Sequence, residues 1–434
     1  MTNKEYKTLS DVISKEEIIK WQPGDTVLIS AGTGTGKSHF IKNSLYEAAK
    51  ENGDKILMLI HRVNCLNQFN EEILTDEKTD VITIDTYQKI EFNTMSGTGY
   101  DLSEYKYIVS DEFHYFVSDA KFNVTTDISF DAIMNSQGIK IFMSATGNFM
   151  KDYLQEYISG NKLPQPYSYS LEKDYSYLQS LFFFYKEHTI SELLRLAIEG
   201  KQKAIFFIHS AEKAYRLYKK YEKYCLFNCG EGSANKYPVD KEAVNRMLKN
   251  QKFDKQILIT TTCMDAGVNI IDEDLHYVVC DIIDIGQLIQ CIGRKRSQNP
   301  NDKLNLYVKA IQNRSLAGYE RSAINAVEAA DYLKEYGVLK FNEKYYRAIN
   351  KNAIVYWQSN KITGYSKPTV NELMYHKSKC DSAIYRDMIN TGKTGYCQYL
   401  ANLLRFNWNG KRYTYALYEE GNLQNLLERY AVEK

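Results

Sequence analysis

Residues 29–40 read ISAGTGTGKSHF, with glycines at 32, 34 and 36 followed by Lys37 and Ser38. Without a Cβ, such a loop lets the backbone N–H groups of Gly34, Thr35 and Gly36 converge on phosphate oxygens. Gly32 and Thr33 complete the loop, Lys37 can reach the β- and γ-phosphates, and the Ser38 hydroxyl can ligate Mg²⁺. An apolar run, TVLIS (26–30), precedes the loop and a helical pattern follows it. A helix N-terminus beginning near Lys37 adds the positive end of its dipole. The plain alternative is a structural glycine turn. Lys-Ser directly after the last glycine argues for the phosphate site, although Ala31 stands where the pattern usually has its first glycine.

A nucleotide site also needs a second metal anchor and a group that places the attacking water. YIVSDEFHYF (107–116) offers Asp111 for Mg²⁺ and Glu112 beside it, at the end of an apolar strand. Neighbouring side chains on an extended chain project to opposite faces, so the two carboxylates would divide the labour. Alone, the pair would be a solvated strand end; with the glycine loop it reads as a catalytic pair using ATP and Mg²⁺.

These residues require a scaffold. TVLIS (26–30), KILMLI (55–60), VITI (81–84), YIVSD (107–111) and IKIFMS (139–144) are continuous apolar runs separated by longer helical patterns. That is the signature of a parallel sheet covered on both faces. SGNKLPQPYSYSLEKDYSY (159–177) reads as hydrophilic and linker-like, after which the alternation restarts with SLFFFY (180–185), KAIFFI (203–208), QILIT (256–260), HYVVC (276–280) and LNLYV (304–308). After about residue 315 the strand signal gives way to tyrosine-rich amphipathic segments. The expected architecture is α/β: domains at 1–160 and 178–315 joined by a linker at 161–177, then a mainly helical accessory domain at 316–434.

Composition bounds the function. At 434 residues the chain exceeds one ordinary core, and its net charge of +1 argues against wholesale polyanion binding. Residues 321–434 nevertheless hold seventeen lysines and arginines against eleven acidic residues, making the tail the cationic part. The eight cysteines form no CxxC pair, which reads as reduced thiols and a cytoplasmic location. No run approaches the eighteen apolar residues of a membrane span, so no membrane partner is expected. Trp21, Gln22 and Pro23 could cap a nucleotide base, or Trp21 could pack in the core.

The ordered blocks resemble superfamily 2 helicases. AGTGTGKS (31–38) resembles motif I, LIHRVNCLNQF (59–69) motif Ia, TIDTYQ (83–88) the threonine-containing motif after it, DEFH (111–114) motif II and SAT (144–146) motif III. IFFIHS (205–210) is similar to motif IV, ILITTTCMDAGVNI (257–270) to motif V and QCIGRKR (290–296) to motif VI. The resemblance implies two tandem RecA-like P-loop NTPase domains clamping ATP. Within it, Glu112 is the general base, and His114, Ser144 and Thr146 couple hydrolysis to motion. Gln290 faces the γ-phosphate or the attacking water, Gly267 and Asn269 approach the ribose, and Arg294 and Arg296 are transition-state fingers. Arg62, Thr86 and Thr261 grip a nucleic-acid backbone.

Two departures matter. Motif V has Asn269 where Asp is common, and motif VI has one residue between its arginines where most of the superfamily has two. The short form resembles that of herpesvirus replication-origin-binding proteins and of phage or mobile-element helicases. It implies DNA as partner over RNA, with replication or defence-system proteins as candidate company. On one continuous helix Arg296 would lie about 200° round from Arg294. SQNPND (297–302) therefore predicts that the helix ends near Arg294 and that the chain turns Arg296 back. The expected activity is ATP-dependent translocation on or unwinding of DNA. An RNA helicase and an ATP-gated clamp or effector-recruiting subunit are the alternatives. EKYYRAINKNAIVYW (343–357) and RFNWNGKRYTYALY (405–418) could stack bases or simply pack against the motor.

Overall fold

The computed structural model describes residues 8–32, 34–118, 123–145, 148–171, 173–264, 269–345, 354–359, 366–406 and 416–417. Thr33, Thr146, Gly267 and most of the 405–418 segment lie outside this set. The chain divides into two compact units, residues 1–173 with 318–384 and residues 174–317 with 385–434.

The first unit is built on six strands: β1 (Thr26–Ser30), β2 (Ile56–Ile60), β3 (Ile82–Thr86), β4 (Tyr107–Asp111), β5 (Ile139–Ser144) and β6 (Tyr167–Ser170). Their order is β3-β2-β4-β5-β1-β6, and every pairing is parallel. Alternate residues serve opposite faces. Val27 and Ile29 join one buried cluster with Met58, Val109 and Ile141, whereas Leu28 joins another with Leu57, Ile108 and Phe142. Burial on both faces explains why these strands read as unbroken apolar runs. β6 falls inside the segment read as a linker. Its YSYS alternation places half-exposed tyrosines on one side and exposed serines on the other, the period of an edge strand.

The second unit carries β7 (Leu178–Phe184), β8 (Lys203–Ile208), β9 (Cys225–Asn228), β10 (Ile257–Thr260), β11 (Leu275–Asp281) and β12 (Leu304–Lys309). With the short strand Ala416–Leu417 they form a parallel sheet. All eight cysteines are free thiols. No helix among the described residues is long and apolar enough to cross a membrane.

Residues 316–434 divide between the units rather than standing apart, and part of the segment is an antiparallel hairpin, β13 (Val355–Ser359) with β14 (Ser366–Val370). In the first unit Asn371 donates to the Val124 carbonyl at 3.0 Å and to the Thr126 hydroxyl at 3.1 Å. Leu373 enters the core cluster of Leu57 and Phe142. The Tyr356 hydroxyl lies 3.0 and 3.1 Å from the two carboxylate oxygens of Asp127, on the helix Thr126–Met134.

Burial, aided by the Asp131 carboxylate, pushes Asp127 up to about 7 even though Tyr356 donates to it. A folded-state value above the unfolded one means that this carboxyl favours folding most below about pH 4. The contribution is lost as pH rises through about 7. Between pH 5 and pH 8 the wild type should therefore lose on the order of 2 kcal/mol more stability than Asp127→Asn. Denaturant melts at the two pH values measure this; equal losses in both proteins contradict it.

Candidate nucleotide site and the paired motifs of the second unit

Strand order sets the site. β4, β5 and β1 are neighbours, so Asp111, Ser144 and Ser30 end three parallel strands along one carboxyl edge, where open α/β sheets bind ligands. The loop after β1 explains its glycines: Gly34 has φ 85° and Gly36, which precedes the helix Lys37–Phe40, has φ 83°. Both values lie in the left-handed region that side chains disfavour. Ala31 has no such demand. It is fully buried, and its N–H donates to the Ser144 carbonyl at 3.2 Å, so a methyl group is tolerated there. Thr35 braces the loop by donating to the Gly32 carbonyl at 2.8 Å, and its own carbonyl accepts from Leu9 N–H at 2.9 Å.

Lys37 lies over this loop. Its Nζ donates to the Ala31 carbonyl and to Glu112 Oε1, each at 3.3 Å. The other Glu112 oxygen is 3.3 Å from both Ser144 Oγ and His114 Nδ1, and His114 Nδ1 and Ser144 Oγ are 2.9 Å apart. The structure thus gathers Lys37, Glu112, His114 and Ser144 into one cluster. The separation of the two carboxylates arises differently from the pleat expected. β4 stops at Asp111, and Glu112 leaves the strand in a left-handed conformation with φ 50°, a costly backbone for a residue with a side chain.

Burial, with Glu112 adjacent, pushes Asp111 up to about 6, against the pull of Lys37. An added cation would relieve that strain. Ser38 is exposed on the first helical turn. No group of three His, Cys, Asp or Glu side chains capable of holding a metal exists among the described residues. A hydroxyl and a carboxylate, both hard oxygen donors, fit a Mg²⁺ that takes its remaining ligands from phosphate and water. Trp21 is core: it is 2% exposed and donates to the Tyr169 hydroxyl at 3.3 Å.

The expected polymer-gripping residues of the first unit sit at strand ends beside this edge. Arg62 precedes the helix Val63–Thr75, and Thr86 ends β3 and caps the helix Tyr87–Ser96 by accepting from Lys89 N–H at 3.2 Å. In the second unit Thr261 follows β10 and is 8% exposed, its hydroxyl accepting from Cys263 N–H at 3.4 Å.

The motif VI helix ends beside Arg294, as its sequence predicts. The helix is Ile285–Ile292 and stops at Gly293, before Arg294 and well before SQNPND. A main-chain partner captures the chain: Lys295 forms a parallel bridge with Ile270, whose N–H donates to the Arg294 carbonyl at 2.8 Å and whose carbonyl accepts from Arg296 N–H at 2.9 Å. Arg294 lies in the turn that ends the helix, and Arg296 directly follows the bridged Lys295. Lys295 is buried against Asp302 at 2.6 Å and the Asp272 carbonyl at 2.7 Å. Arg294 Nε donates to the Gln290 carbonyl at 3.2 Å, and Arg296 Nε donates to Asn269 Oδ1 at 2.7 Å. Arg296 is therefore a partly buried residue tied to motif V. The asparagine that departs from the usual motif is its acceptor. Sequence reading missed Asn269 in this role because the contact spans two motifs.

No protein-family model and no curated protein matches the sequence. Among solved structures, the fold is similar to that of the DEAD-box helicase Mss116 bound to ssRNA and UDP-BeF. The TM-score is 0.52 at 15% identity, covering 70% of this chain and 69% of that one. It is also similar to S. cerevisiae Dbp5 bound to RNA and ADP BeF3, with TM-score 0.48 and 16% identity over 66% of this chain and 78% of that one. At such identity the likeness concerns architecture: two RecA-like P-loop domains with a helical C-terminal region.

The buried Lys295–Asp302 pair anchors the bridged segment in addition to its main-chain hydrogen bonds. Asp302→Ala leaves an ammonium buried without its carboxylate, and should lower the stability of the second unit by about 3–5 kcal/mol. Chemical denaturation reads this directly. A loss near that of an exposed ion pair, about 1 kcal/mol or less, would contradict the anchoring role.

Proposed function

We propose that this chain is a nucleic-acid-dependent ATPase of the superfamily 2 helicase type, coupling Mg-ATP hydrolysis to movement along a strand or to duplex opening. The observation that carries the proposal is the Lys37–Glu112 pair set over a loop with two left-handed glycines. A cradle for phosphate, a cation to grip it and a base to activate water are adjacent at one strand edge.

In this reading the γ-phosphate takes Lys37 from Glu112. Glu112 then accepts a proton from the attacking water, whose oxygen bonds to the γ-phosphorus as the bond to the ADP oxygen breaks. Gly32, Thr33, Gly34, Thr35 and Gly36 cradle the phosphates. Ser38 and Asp111 would hold Mg²⁺, which when bound neutralises phosphate charge. His114, Ser144 and Thr146 transmit the state of Glu112 to the rest of the unit. Gln290, Arg294 and Arg296 are assigned to the charge developing on the transferred phosphate, and Gly267 and Asn269 to the ribose. Arg62, Thr86 and Thr261 are assigned to the polymer backbone, where contacts are independent of sequence and sensitive to salt.

Two polymers compete. DNA follows from the resemblance of the short motif VI to origin-binding and mobile-element helicases. RNA is favoured by Mss116, whose structure holds ssRNA. The test is steady-state ATP hydrolysis without polymer, with single-stranded DNA and with single-stranded RNA, followed by strand displacement on the matching duplexes. One polymer should stimulate turnover; stimulation without displacement assigns a clamp. Glu112→Gln should bind ATP and lose turnover by on the order of a hundredfold or more. Asp111→Asn should instead raise the Mg²⁺ concentration required. Absence of hydrolysis with every polymer, or identical behaviour of the two variants, would contradict the proposal.

A further inference from the structure

Tyr87 joins the strand end assigned to the polymer to the strand end assigned to the metal. It follows Thr86 and opens the helix that Thr86 caps. Its side chain is fully buried, and its hydroxyl donates to the main-chain carbonyl of Asp111 at 2.9 Å. The ring is stacked on Tyr115, centroids 4.7 Å apart and planes 11° from parallel, with Phe116 edge-on at 5.0 Å. Tyr115 continues the motif II segment and is pinned in turn, its hydroxyl donating to Glu91 at 3.0 Å and its ring 5.6 Å from that of His61.

The surroundings leave Tyr87 little freedom to move alone. Asp85 holds the turn on one side, accepting from Thr86 N–H at 2.9 Å and from the Tyr100 hydroxyl at 2.8 Å. Gln88 donates to the His61 carbonyl at 3.3 Å, joining this turn to the residue before Arg62. Glu91, on the same helix as Tyr87, also accepts from Ser129 at 2.7 Å. A shift of the Thr86 turn therefore carries the Tyr87 ring and its hydroxyl with it. The atom that this hydroxyl meets is the carbonyl of Asp111, directly before the left-handed residue Glu112. A small change in that peptide's orientation re-aims both carboxylates.

The geometry points to Tyr87 as a positioning residue: polymer engagement at Arg62 and Thr86 is reported to Asp111 and Glu112 through the Tyr87 hydroxyl, making hydrolysis polymer-stimulated. This inference rests on the function proposed above. The test measures the coupling between polymer and hydrolysis directly.

Tyr87→Phe keeps the stacked ring and removes only the hydroxyl. Tyr115→Phe is the control, removing a buried hydroxyl of the same chemistry whose partners are Glu91 and Asn123. The ratio of ATP turnover with saturating single-stranded polymer to turnover without it should fall in Tyr87→Phe by roughly five- to a hundredfold, the range of ordinary site-to-site coupling. Tyr115→Phe should keep the wild-type ratio even where its melting temperature drops as far. A second measurement needs no variant: adding oligonucleotide to nucleotide-free wild type should slow amide hydrogen exchange in the 107–116 peptide. A wild-type stimulation ratio in Tyr87→Phe, an equal loss in Tyr115→Phe, or exchange unchanged by oligonucleotide overturns the relay while leaving the ATPase reading intact. A wild-type protein that hydrolyses no ATP with any polymer overturns both.

Discussion

Two main-chain hydrogen bonds to the end of β5 set the geometry on which the site depends. Ala31 N–H donates to the Ser144 carbonyl at 3.2 Å, and Phe113 N–H donates to the Met143 carbonyl at 3.1 Å. The glycine loop and the acidic segment leave β1 and β4, strands that do not pair with each other; β5 lies between them and holds the first turn of both. Lys37 and Glu112 meet because these turns are fixed to a common strap. The contact closes over one carboxyl edge, with Ser144 contributing its hydroxyl from the strap itself. Backbone groups so buried must be paired, so the arrangement is obligatory for the fold as well as useful to the site.

The second unit also fixes a chain turn through main-chain hydrogen bonds, here between Ile270 and the Arg294–Arg296 segment. A continuous helix would carry Arg296 about 200° round from Arg294, whereas the chain here leaves the helix, bridges to Ile270 and turns Lys295 inward to Asp302. The same bridge sets Asn269, next to Ile270, within 2.7 Å of Arg296. The two departures from the common motifs, a short spacing and an amide in place of a carboxylate, are thus parts of one local structure.

Much of this was legible in the sequence, for identifiable reasons. Ten of the strands are continuous apolar runs because both faces of each sheet are covered, and the glycines of the loop announce the backbone that only they adopt easily. β6 and β9 escaped because each is a four-residue strand at the edge of its sheet. The bridge of Lys295 to Ile270 was hidden because it joins segments twenty-five residues apart, and residue types do not report such a pairing. The left-handed Glu112 was hidden too, since a carboxylate after a strand gives no sign of backbone strain. The ties of Tyr356 and Asn371 to the helix Thr126–Met134 cross more than 200 residues, and the tyrosine-rich pattern of the tail did not distinguish them from a separate domain.

The central claim is that Lys37 exchanges its carboxylate partner for phosphate. Calorimetric titration of Mg-ATP into the wild type and into Lys37→Ala tests it most directly, with melting temperature as the check on folding. One ATP should bind per wild-type chain, and the variant should lose at least about tenfold in affinity while remaining folded, the scale of a lost charged hydrogen bond. Equal affinity in a folded Lys37→Ala protein would contradict the account.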